Sequence, residues 1–117
     1  MPSYGFGSAH TWSFIKHIGT GDGDTELVAA PGAGRKLVLQ GLTIALTTAA
    51  AQAFDIEDDG GTPVELFKAP ASLAAGTYAV DAGALGVSCT ANTAIQFDTA
   101  AAGVAATISG FGYIWEA

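Results

Sequence analysis

The sequence predicts an all-β protein: an antiparallel two-sheet sandwich, a jelly roll of about eight strands, behind an extended N-terminal arm. Three observations carry that prediction. Short β-prone runs recur along the 117 residues, each closed by a Gly, Pro or Asp cluster. Their spacing, about 8–12 residues from one run to the next, is the rhythm of a sandwich or barrel. The segment with the clearest helix propensity, Thr48-Ala49-Ala50-Ala51-Gln52-Ala53, is too short to hold as a helix without tertiary support. The length suits one domain, since two would leave neither with a core. The expected division is an arm over residues 1–10 and a β-sandwich over residues 11–117.

The elements follow in order. Met1 to His10 has no period and reads as extended. In Thr11 to Ile18, Trp12, Phe14 and Ile18 share one parity, the alternation of a strand. Gly19 to Asp24 is an acidic turn, Thr25 to Ala30 a second strand, and Pro31-Gly32-Ala33-Gly34 its stop. Arg35 to Thr47 is the longest β-prone stretch, and Gly41 within it predicts a bulge or a bend. A turn at residues 48–53 leads to a strand through Phe54-Asp55-Ile56-Glu57. Asp58-Asp59-Gly60-Gly61 is a hairpin signal, and Thr62 to Lys68 is the returning strand. Thr77 to Asp81, Val87 to Thr90, Ala94 to Asp98 and Ala105 to Trp115 complete eight or nine strands.

Composition removes several function classes. Charged residues are 13% of the chain, about half the usual ~25%. A net charge of -7 with Lys+Arg 4 leaves no basic stripe for phosphates, so nucleic acid is excluded as a direct partner. Scarce charge on so small a domain implies that part of its surface is covered by other chains. The single cysteine, Cys89, excludes an internal disulfide and a thiolate zinc cluster, and its setting reads as a buried strand thiol. No run approaches the ~18 apolar residues of a membrane span, and the N-terminus has no signal-peptide pattern. A soluble protein of the cytoplasm is expected.

No motif assembles an active site, so neither an enzyme nor a cofactor is expected. Asp22, Asp24 and Glu26 alternate within a Gly-rich turn and could offer oxygens to calcium, but one copy of the pattern reads as a solvated hairpin end. Asp55 to Gly60 opens like an EF-hand loop, yet Leu66 stands where the twelfth-position Glu belongs, so an exposed acidic hairpin is expected and no metal site. His10 and His17 would point to opposite faces of a strand. The aromatic residues are the better signal. Tyr4, Phe6, Trp12 and Phe14 gather near one terminus, and Phe111, Tyr113 and Trp115 alternate on one strand face near the other. Core packing accounts for some of them. With a single asparagine to accompany them, a subunit interface fits better than a sugar platform.

Several runs, in this order, carry a resemblance: Thr25 to Ala30, Gly34 to Gly41, Phe54 to Gly61, Gly76 to Asp81 with Leu85-Gly86, and Ala100 to Val104 before Gly110 to Tyr113. Together they resemble the small jelly-roll head decoration (cement) proteins of tailed bacteriophages. The resemblance implies a non-enzymatic capsid protein on the virion exterior, assembled in the host cytoplasm. Its partners would be the major capsid protein and further copies of itself, with a trimer expected. A tail or fibre module that binds a receptor or sugar is the alternative. The seven aromatic residues above are then the candidates for capsid or subunit contacts.

Overall fold

Alternation and turn chemistry produce nine strands in the computed structural model, which describes residues 10–116. They are β1 (Thr11–Ile18), β2 (Thr25–Val28), β3 (Arg35–Leu46), β4 (Phe54–Asp58), β5 (Glu65–Ala69), β6 (Gly76–Asp81), β7 (Val87–Ser88), β8 (Ile95–Thr99) and β9 (Ala106–Glu116). Among the described residues there is no helix long and apolar enough to cross a membrane. The Ala-rich segment 48–53 forms turns and bends. Of the expected arm, residues 1–9 lie outside the described residues.

Every pairing is antiparallel. One sheet has the order β1-β9-β3-β6, with β7 added along β3, and the other has the order β2-β8-β4-β5. The chain crosses repeatedly between the two sheets, and leaving aside the two-residue β7 this order is a jelly roll. Inward-facing Leu39, Leu42, Ile44 and Ile108 from the first sheet meet Phe54, Ile56, Ile95 and Phe97 from the second, all at 2% exposure or less. The Phe54 and Phe97 rings lie 5.3 Å apart at the centre. Burying each such side chain contributes on the order of 1.5–3 kcal/mol.

Gly41 marks an irregularity, as expected. The β3–β9 register shifts between Leu39 and Gly41, so Leu39 and Leu42 both face inward although three positions apart. The expected strand from Thr62 to Lys68 starts later, at Glu65. A second register shift, between Ile56 and Glu57, precedes the β4–β5 turn, so that Glu57 pairs with Glu65. The expected strand from Val87 to Thr90 keeps only Val87 and Ser88; the next residue, Cys89, is buried at 3% exposure, and its amide donates to the Leu37 carbonyl at 2.9 Å.

Candidate functional site

The two outer faces of the sandwich differ in chemistry. On the four-stranded sheet, side chains that alternate with the core residues form two cross-strand rows. One row runs Glu26, Gln96, Glu57, Glu65, and the other Asp98, Asp55, Lys68. Asp55 sits directly opposite Asp98, and Glu57 opposite Glu65, arrangements that cost stability in a sheet. Lys68 pairs with Glu65 at 3.7 Å. Burial, then the Asp98 and Asp55 charges, push Glu57 above the ordinary carboxylate range. Asp98 is raised too, by burial and then by Asp24 and Asp55. Carboxylate oxygens of Asp55, Glu57 and Asp98 lie within 4.8 Å of one another, close enough to reach one cation.

Asp58 differs from its neighbours. An exposed acidic hairpin was expected here, but Asp58 is 0% exposed and Glu57 8% exposed. Asp58 follows Ile56 on the inward parity at the end of β4, so its carboxylate enters the sandwich. There Oδ2 accepts from the Thr90 amide at 2.7 Å, and Oδ1 accepts from the Gly60 and Val64 amides at 3.1 Å each. Burial by itself would raise this carboxyl; the Thr90, Gly60 and Val64 hydrogen bonds outweigh it and hold the group below its ordinary value. Asp58 thereby ties the β4–β5 turn to the loop after β7. The nearby Cys89 thiol is pushed up to about 12 by burial and then by the Asp58 charge, so it stays protonated.

The Gly-rich turn has a structural use for its acids. Asp22 Oδ2 accepts from the Gly19 amide at 2.7 Å, and Asp24 Oδ1 accepts from the Thr99 amide at 2.8 Å. Asp24 therefore clamps the start of β2 to the end of β8.

The outer face of the five-stranded sheet has less charge: its pairings place His17, Lys36 and Asp81 on it, opposite Thr107, Trp115 and Gly41. Phe111, Tyr113 and Trp115 share it, together with Ser13, Ile15, Thr43 and Ser109. Phe111 is 55% exposed, Trp115 46% and Ile15 80%. The Phe111 ring rests on Gly41, and Lys36 Nζ lies 4.9 Å from the centre of the Trp115 ring. Tyr113 donates its hydroxyl to the Leu85 carbonyl at 3.0 Å, which holds the β6–β7 loop, with exposed Leu85, beside this face.

Trp12 and Phe14 face the other way. They pair with Gly112 and Gly110 and pack against the edge of the core, half-buried, with their rings stacked at 6.3 Å. The Trp12 indole N–H donates to the Tyr113 carbonyl at 3.0 Å. The sequence grouped these two with Phe111, Tyr113 and Trp115 as contact candidates because parity within β1 does not show which parity of β9 it shares. The candidates Tyr4 and Phe6 lie outside the described residues.

The same jelly roll is found in a chain of the acid-stable capsid structure of the Helicobacter pylori bacteriophage KHP30. The two share 12% identity with a TM-score of 0.57, over 93% of this chain and 94% of that one. This likeness is one of fold. No protein-family model and no curated protein matches the sequence.

Proposed function

We propose that the chain is a structural, non-enzymatic virion protein of a bacteriophage. Its role is that of a head decoration protein, bound on the capsid exterior between major capsid subunits as an oligomer, with a trimer as the expected state. The observation that carries this reading is the end-to-end fold likeness to a chain of a phage capsid. The division of the surface supports it. A less charged face with exposed Phe111 and Trp115 suits contact with protein. An acidic face turned to solvent suits an outer layer that repels nucleic acid.

In this reading Phe111, Tyr113 and Trp115 make contacts from the sheet face, and Tyr4 and Phe6 make them from the N-terminal arm. Trp12 and Phe14 would support them by holding β1 against β9. The test is electron microscopy of purified particles containing this chain. Density for the jelly roll at the three-fold positions of the head is the expected result. Density confined to the tail or fibres would replace the reading with that of a tail or fibre module.

A further inference from the structure

Of the exposed large hydrophobics, Ile15, Phe111 and Trp115 lie on the outer face of the five-stranded sheet and Leu85 lies beside it. We infer that this face is where one copy of the chain meets another, with Ile15 and Phe111 at the centre of the contact. The inference rests on the self-association in the reading above, and because like faces meet about a two-fold axis it makes the solution species a dimer in place of the expected trimer.

Charge selects the occupant. Each copy carries a net charge of -7, so association must keep the acidic surfaces apart. The outer face of the four-stranded sheet presents Glu26, Asp55, Glu65 and Asp98, around the buried Glu57, against the single cation Lys68. Two such faces cannot approach without opposing like charges at close range. Across the way, β1 and β9 present hydroxyl and apolar side chains in register, Ser13 beside Phe111 and Ile15 beside Ser109. Lys36 is engaged with the Trp115 ring. Contact through this face therefore removes apolar surface from water, with Asp81 opposite Gly41 and the ring-bound Lys36 the charges to desolvate, fewer than on the acidic face.

Area is sufficient as well. β3 is 12 residues long, which at ~3.3 Å per residue makes a face roughly 40 Å long and, over four strands, about 14 Å wide. Two such faces in contact would remove on the order of 1,200 Å² from water, the lower end of specific interfaces. The surface is also preorganised. The Phe111 ring is seated on Gly41, and Tyr113 is held by the Leu85 carbonyl, so little side-chain freedom is lost on contact.

The experiment is sedimentation and mass photometry of the full chain at micromolar concentration. It compares the wild type, Ile15→Lys, the double variant Ile15→Lys/Phe111→Lys, and Glu26→Lys on the opposite face. The wild type and Glu26→Lys are expected to run as the same oligomer. The double variant should run at the monomer mass of 11.7 kDa. Ile15→Lys alone, at a site 80% exposed on an edge strand, should keep its circular dichroism and melting temperature while dissociating at tenfold or more higher concentration. It keeps the test decisive if replacing Phe111 harms folding. An unchanged oligomer in Ile15→Lys and in the folded double variant would overturn the inference and leave self-assembly standing. A monomeric wild type would overturn both. Absence of the chain from phage heads would remove the decoration role without touching the solution result.

Discussion

The ring of Phe111 covers Gly41, where an added Cβ would lie 2.7 Å from its Cζ. The contact depends on the register shift in β3, which puts Gly41 rather than Gln40 opposite Phe111. Gly112, one residue on, is the reverse case. A Cβ there would fall on the Val38 carbonyl oxygen and lie 2.6 Å from the Trp12 ring. The two glycines thus predict different outcomes. Gly41→Ala displaces an exposed side chain rather than backbone and should cost about 1–3 kcal/mol. Gly112→Ala must move backbone in the central β9–β3 pair and should exceed about 4 kcal/mol, or prevent folding. Thermal melts of both variants check the order; a Gly112→Ala melt within a few degrees of wild type would contradict the register.

Asp58→Ala should be the most damaging change to a charged residue. It leaves the Thr90, Gly60 and Val64 amides without their acceptor, at about 1–3 kcal/mol for each one that water cannot reach. A total near 3 kcal/mol corresponds to a fall of roughly 10–20 °C in Tm for a domain of this size. Asp58→Asn, which keeps one acceptor oxygen, should lose less. Equal, small losses in both would show that the carboxylate does not hold these loops.

Stability should pass through a maximum in mildly acidic solution. Glu57 and Asp98 have folded pKa values raised above their ordinary 4.5 and 3.8, so the folded state binds protons more tightly. Their penalty is absent below the unfolded values and grows as pH rises through the folded ones. Asp58 has the opposite sign. Its folded value lies below 3.8, so its stabilisation is complete above that value and is lost as pH falls through the folded one. Lowering the pH from neutrality toward 4.5 should therefore raise Tm, and lowering it below about 3.8 should reduce it. Glu57→Gln should raise Tm at pH 7, by roughly 0.2–1 kcal/mol in stability, and flatten the rise on acidification toward 4.5. A Tm that falls steadily from pH 7 would contradict this balance.

Removal of divalent cations should leave the fold unchanged. Asp22 and Asp24 are bonded to the Gly19 and Thr99 amides, so that turn closes on its own hydrogen bonds. Melting in excess chelator is expected within about 2 °C of the untreated protein, whereas a well-occupied site would contribute several kcal/mol by mass action. A large downward shift would indicate that the acids carry an ion.

Deletion of residues 2–9 should preserve folding and self-association while lowering occupancy on particles that lack the protein. β1 begins at Thr11, and its pairing with β9 runs unbroken from Thr11–Tyr113 to Ile18–Ala106. Removing residues 2–9 therefore costs no rung of the described ladder. The arm's Tyr4 and Phe6 can each bring about 150–250 Å² of contact to a partner. Loss of the oligomer on deletion would instead assign the arm to self-assembly.

The sequence by itself determined the fold class, the strand count and most strand positions, because these depend on local chemistry. Alternation in Thr11–Ile18 and Phe111–Trp115, the stops at Pro31–Gly34 and Asp59–Gly61, and the break at Gly41 are all written within a few residues. Its scarce charge also pointed to a covered surface. Tertiary structure alone decided which parity of each strand faces inward relative to its neighbours. That placed Trp12 and Phe14 on the core side and Phe111, Tyr113 and Trp115 outside. It also decided that Asp58, spelled like a solvated turn residue, would be fully buried. Its hydrogen-bond donors include Thr90, thirty-two positions away, and only a long-range pairing brings those groups together. The separation of acidic and apolar faces has the same origin. Glu26, Gln96, Glu57 and Glu65 come from four strands scattered along the chain, and a face exists only once β2, β8, β4 and β5 lie side by side.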